Sequence, residues 1–223
     1  MQPDIFEKAQ LLPPQRILLQ QLAASPLAER LYLTGGTALA GFYLHHRVSD
    51  DLDLFSDTEI PLAAVESFMG NVPGTTVVAY QRLYERKIFL LDVAGAHLKM
   101  EFTRYPFPHT TPLDRIDVGL AIDPPIEIFV NKLQALADRR EPKDEVDVYF
   151  LLRTPGMPSL AEAITFAERK FSLKGLHYML QSRLLATHTT LPPTTPPVAA
   201  MEIAAAFRAE VEHLVANATS EER

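Results

Sequence analysis

Thr34-Gly35-Gly36-Thr37-Ala38-Leu39-Ala40, followed shortly by His46-Arg47-Val48-Ser49-Asp50-Asp51-Leu52-Asp53-Leu54-Phe55, decides how this chain is read. An apolar run, Leu31-Tyr32-Leu33, ends in a double glycine and a threonine, and an apolar-rich segment expected to be a helix over 36–45 follows. The chain returns as a short acidic strand, expected over 51–55. Side chains two apart on a strand leave from the same face. Asp51 and Asp53 are therefore expected side by side, with Leu52 and Leu54 turned into the core. Two close carboxylates repel unless a positive group sits between them or one stays protonated. A hard divalent cation, Mg²⁺ or Mn²⁺, offsets that charge, and phosphates are its usual further ligands. The glycine turn offers backbone N–H groups and the positive end of a helix dipole, the other half of a phosphate site.

Taken singly, a Gly-Gly turn is also an ordinary strand-to-helix connection, and Asp-x-Asp is also a solvated strand edge. The combination is more specific: strand, Gly-Gly-Thr, helix and Asp-x-Asp follow one another within about twenty residues. Arg47 is read as holding the loop or touching phosphate. His45 and His46 are adjacent on a helix, point about 100° apart and chelate poorly; they are read as finishing that helix.

Composition bounds the rest. At 223 residues the chain is long enough to bury a real core, as one large domain or two small ones. With no cysteine, disulfides, thiolate metal sites and cysteine nucleophiles are excluded. No apolar run of about eighteen residues exists, and the N-terminal MQPDIFEKAQ lacks a basic segment followed by an apolar one. A cytoplasmic protein without a membrane span is expected. The net charge of −7 argues against coating nucleic acid through a broad positive surface. A local basic strip is still open to it, from Arg82, Arg86, Lys87, Arg139, Arg140 and Lys143; the alternative is scattered solubilising charge.

Two regions are expected. Residues 1–123 read as an α/β (α+β) core: a helix over 4–24 interrupted at Pro13-Pro14, a strand near 31–34, a helix from Pro61 to Met69, and strands over Thr75–Tyr80, Lys87–Val93 and His97–Tyr105. Residues 124–223 read as helical. Ile126, Phe129, Leu133 and Leu136 form one stripe, and Val146, Tyr149, Phe150 and Leu152 a second. The Pro/Thr stretch 188–197 is expected as an extended linker, and Val198–Asn217 as a C-terminal helix.

The strand–turn–helix–Asp-x-Asp order resembles the polymerase-beta-type nucleotidyltransferase fold. The wording GGTALA…HHRVSDDLDLF is closer to one branch, the AbiEii/AbiGii toxin-like nucleotidyltransferases of toxin–antitoxin and phage-defence systems. Lys132-Leu133-Gln134-Ala135-Leu136 with Arg139, then Lys143-Asp144-Glu145-Val146-Asp147-Val148-Tyr149, resembles that family's third and fourth motifs. The likeness spans roughly 31–155 and implies a small mixed-sheet core followed by helices. It also implies an active enzyme that moves an NMP from an NTP to an acceptor hydroxyl. In that frame Asp51 and Asp53 hold the metal, and Gly35, Gly36 and Thr37 with Arg47 receive the phosphates. Lys132 offsets phosphate charge from the helical region, and Asp144 acts as base or orienter. Glu101 supplies the third acid usual in this fold. Each of the last three has a plainer reading. Lys132 at the edge of an apolar stripe can snorkel, so its removal is expected to cost little stability. Asp144 can be an N-cap, and Glu101 an exposed strand-face residue. Related toxins suggest a tRNA 3′ end as acceptor and a cognate antitoxin as partner. The alternatives are a small-molecule nucleotidyltransferase and a non-catalytic nucleotide-binding or antitoxin-interacting module.

Overall fold

The structure is a computed structural model describing residues 5–116 and 119–221. It divides into two compact units: one runs to Pro108 and resumes over Pro112–Pro124, the other comprises His109–Thr111 and the chain from Pro125 onward. No helix among the described residues is long and apolar enough to cross a membrane.

In the first unit, the segment expected as one interrupted helix is two: α1 (Ile5–Lys8) and α2 (Pro13–Ala23). Pro13 opens α2 because proline's fixed φ suits a first turn, where its missing N–H is not needed. A short 3-10 turn (Pro26–Arg30) leads into β1 (Tyr32–Thr34). Next come α3 (Gly35–Ala38), running into a π-helical turn over Leu39–Leu44, and then β2 (Asp51–Ser56) and α4 (Leu62–Gly70). Strands β3 (Thr75–Leu83), β4 (Arg86–Val93) and β5 (Ala96–Arg104) follow, with two-residue strands β6 (Asp114–Arg115) and β7 (Ala121–Ile122). His45 closes the π turn in the left-handed region (φ 53), whereas His46 lies beyond it and is buried.

The sheet order is β3-β4-β5-β2-β1-β7-β6. β2 is its hinge of direction: antiparallel to β1, parallel to β5. Leu33, Leu52, Leu54, Leu98, Met100 and Phe102 are all buried. They alternate with the polar residues of their strands, so one face of the central sheet is core and the other carries the acids.

The second unit is helical: α5 (Pro125–Asp138), α6 (Pro142–Leu152), α7 (Leu160–Phe171), α8 (Leu176–Leu185) and α9 (Ala200–Glu221). Ser159 caps α7 by accepting from Glu162 N, while Glu162 accepts from Ser159 N at 2.9 Å, a reciprocal capping box. The segment 188–197 is neither helix nor strand. Its first residue is anchored, with His188 Nδ1 lying 2.6 Å from Glu145 Oε1. α9 packs back on the unit: Ile203, Phe207 and Val211, four apart, are buried, and Tyr149 donates to Glu202 at 2.6 Å.

Candidate active site

The register of β2 builds the site. Thr34 pairs with Asp53 and Tyr32 with Phe55 across β1, while Asp51 pairs with Lys99 and Asp53 with Glu101 across β5. Residues opposite one another in a sheet share a face. Asp51, Asp53, Lys99 and Glu101 therefore lie together, as period-2 alternation predicts. Burial agrees: Asp51, Asp53 and Phe55 are half-buried, whereas Leu52 and Leu54 are inaccessible.

Lys99 Nζ lies 2.9 Å from Asp51 Oδ2. Burial pushes its ammonium pKa down, but the hydrogen bond to Asp51 and the charges of Asp51, Asp53 and Glu101 outweigh this and raise it. The face thus carries a negative field that favours a cation.

The glycine turn is held against these acids. Gly35 has φ +70, and a Cβ there would collide with the Asp53 carboxylate. A Cβ at Gly36 would sit 2.6 Å from Arg47 Nη2 and 2.7 Å from Ser49 Oγ. Gly35 is the stricter requirement, since its left-handed backbone adds to the contact with Asp53, whereas at Gly36 the tips of Arg47 and Ser49 would have to move. Gly35→Ala combines a left-handed backbone, costing about 1–2 kcal/mol for a residue with a Cβ, with displacement of Asp53. We expect a lowered unfolding midpoint and a larger proportional loss of turnover; unchanged kinetics would show that the Gly35–Asp53 packing is dispensable.

Thr37 is buried, and its hydroxyl donates to the backbone carbonyl of Asp51. Arg47, also buried, donates to the carbonyl of Val48 at 3.0 Å. Sequence reading assigned no role to Gln15, yet it is buried on α2 and donates to the carbonyl of Ser49 at 2.7 Å. Gln15 and Thr37 together fix the loop that delivers Asp51. One glutamine among the several polar residues of an amphipathic helix gives no sign of this.

Glu101 shares the Asp53 face but is not open strand surface. It is 3% exposed, held by Arg86 Nε and Nη2 at 2.5 and 2.7 Å and by Thr103 Oγ1 at 2.8 Å. Burial raises its carboxyl pKa, but the hydrogen bonds from Arg86 and Thr103 and the charges of Arg86 and Lys99 win, and the net direction is down. Such a carboxyl contributes stability that is present above its unfolded pKa, about 4.3, and lost as pH falls toward the native value. The wild-type advantage in urea midpoint over Glu101→Gln should therefore shrink as pH drops from 6 to 3. A difference constant across that range would contradict the assignment.

In the second unit, Lys132 is buried, with Nζ 2.7 Å from Asp144 Oδ1 and 2.7 Å from Asp147 Oδ2. Arg139 Nε lies 3.0 Å from Asp144 Oδ2, and both acids are fully inaccessible. This sets aside the alternative of a snorkelling lysine: Lys132 of α5 and Arg139, just beyond its end, close on two anions of α6. It also corrects the N-cap alternative for Asp144, since Glu141 is the N-cap of α6 and Asp144 stands inside its first turn. Asp147, one turn after Asp144, was not singled out by sequence because its burial depends on the α5–α6 packing.

The cations expected to form a basic strip are each engaged by their own unit. Arg82 and Lys87 approach Glu59 at 3.6 and 3.4 Å, and Arg86 holds Glu101. Arg139 and Lys143 approach Glu141 at 3.5 and 3.2 Å, and Arg140 donates to the carbonyl of Ala186.

Residues 16–222 match the family described as Nucleotidyl transferase AbiEii toxin, Type IV TA system. The protein aq_aa25 of Aquifex aeolicus (strain VF5) is 33% identical over 161 residues, covering 70% of this chain and 74% of that protein. The fold is similar to the nucleotidyltransferase toxin MenT4 (Rv2826c) of Mycobacterium tuberculosis H37Rv, with a TM-score of 0.58 at 17% identity over 87% of this chain and 79% of that one. It is also similar to a putative nucleotidyltransferase from H. pylori, with a TM-score of 0.54 at 20% identity over 89% and 92% of the two chains. The chain belongs to the AbiEii nucleotidyltransferase toxin family of type IV toxin–antitoxin systems, and it is a nucleotidyltransferase.

Proposed function

We propose that this enzyme transfers an NMP from an NTP to an acceptor hydroxyl with Mg²⁺ or Mn²⁺ held by Asp51 and Asp53. One observation carries the reading: two carboxylates share a strand face beside a glycine turn, in a field negative enough to keep Lys99 charged. The donor set fits a hard divalent ion, which prefers carboxylate oxygens. When bound, the ion supplies charge neutralisation at the phosphoryl oxygens. The backbone of Gly35, Gly36 and Thr37, with Arg47 alongside, receives the β- and γ-phosphates. Glu101 and Asp144 are buried and held by basic side chains, whereas Asp53 is half-buried on the open face, so we assign removal of the acceptor proton to Asp53. The acceptor oxygen then bonds the α-phosphorus as the α–β bridging bond breaks and pyrophosphate leaves. We assign the Lys132 cluster to holding α5 on α6 in place of direct phosphate contact.

The catalytic core is assigned to residues 1–123 and the accessory helical region to 124–223, acting in the cytoplasm with a cognate antitoxin as partner. The acceptor we favour is a tRNA 3′ end, from the family. A second reading, a small-molecule acceptor, is favoured by the ion-paired state of the expected basic strip. Binding through phosphates releases counterions, so tRNA affinity should fall steeply between about 50 and 200 mM salt. The test is tRNA binding across that series, with label transfer from each α-labelled NTP to total tRNA. Absence of both binding and acid-precipitable label at low salt would leave the small-molecule reading.

A further inference from the structure

We propose that Phe55, Tyr105 and Phe107 form a nucleobase-stacking subsite beside the paired carboxylates, an inference that rests on the nucleotidyl-transfer reading. Phe55 follows Asp53 by two residues on β2, so its ring leaves the same face about 6.6 Å further along the strand. That step is comparable to the span from a nucleotide's phosphate to its base. The rings form a connected set. Phe55 and Tyr105 have centroids 4.4 Å apart at 33°, and Tyr105 and Phe107 4.8 Å apart at 60°. Tyr32, opposite Phe55 on β1, meets it edge-on at 6.0 Å and is buried.

The set is held in place and remains partly exposed. Tyr105 N donates to the carbonyl of Ser56 at 2.8 Å, which fixes Tyr105 alongside the end of β2. Phe55 and Tyr105 are only half-buried, and Phe107 is 38% exposed. Aromatic rings at the rim of a charged strand face lose hydration on meeting a flat apolar partner, and every base offers a π-face. Past Tyr32, a pocket of about 620 Å³ is lined in part by Arg30 and Arg115 and by Glu29 and Asp57. The shared chemistry is a nucleobase; its source is either the NTP or the acceptor's terminal nucleotide.

The chain has no tryptophan, so Phe55→Trp provides a single fluorescent reporter at the platform. It is titrated, with Mg²⁺, against each of the four NTPs, a single-stranded RNA dodecamer and inorganic tripolyphosphate. Saturable quenching by a base-bearing probe and none by tripolyphosphate is expected. Quenching by NTPs alone assigns the donor base, and by RNA alone the acceptor base. Phe107→Ala in the Phe55→Trp background, a change at an exposed ring, should weaken the quenching probe about tenfold. No quenching by any base-bearing probe, equal quenching by tripolyphosphate, or no effect of Phe107→Ala would overturn the proposal. Quenching in a protein that transfers no label would support the platform while ending the enzymatic reading; transfer without quenching would do the reverse.

Discussion

Asp53→Asn should lower the rate of nucleotidyl transfer on the order of a thousandfold or more while leaving the fold intact. The asparagine keeps the volume but lacks the charge that would hold a divalent ion, and preorganised charge at the reacting phosphorus is where such sites gain most. The fold tolerates the change because Asp53 is half-buried on the open face while its neighbours Leu52 and Leu54 carry the core. Asp51→Asn should behave alike. It also weakens the pair with Lys99, whose side chain is 36% exposed, at a cost below about 1 kcal/mol. Single-turnover rates and urea midpoints measured together separate the two effects. Near-normal turnover in Asp53→Asn would remove the carboxylate pair from the mechanism.

Lys132→Ala acts differently. It strips the ammonium from between Asp144 and Asp147, both fully inaccessible. Breaking a buried ion pair by removing one partner costs roughly 3–5 kcal/mol, because the remaining charge is left in a poor solvent for ions. Arg139 still reaches Asp144, whereas the pair between Lys132 and Asp147 is lost outright. Combining Lys132→Ala with Asp147→Asn should therefore cost clearly less than the sum of the two single changes. Equilibrium urea unfolding of the three variants measures this. An unchanged midpoint for Lys132→Ala would mean that the cluster contributes nothing to stability.

Local periodicity made the central strands legible. β2 over Asp51–Leu54 and β5 over 97–103 alternate between acid or polar residues and Leu, Met or Phe, and that alternation holds in the fold. Gly35 was legible too, because a left-handed turn against a carboxylate leaves few other choices. β6 and β7 were not: two residues each, with β7 paired to β1 and β6 to β7 only through tertiary placement, they carry no repeat to detect. The π turn over Leu39–Leu44 is likewise invisible to a 3.6-residue pattern. The state of Glu101 and Lys132 depended on partners fifteen and twelve residues away, Arg86 and Asp144, brought close only by strand pairing and helix packing. Alternation gives a side chain's face; it does not say whether an opposite charge waits there.

Transfer from an α-labelled NTP to total tRNA, with and without Mg²⁺ after chelation, in the wild type and in Asp53→Asn, tests the central claim most directly. The account predicts labelled acceptor only for the wild type with the ion restored, with pyrophosphate released in equal amount. Equal labelling in EDTA, or equal labelling by Asp53→Asn, would contradict it.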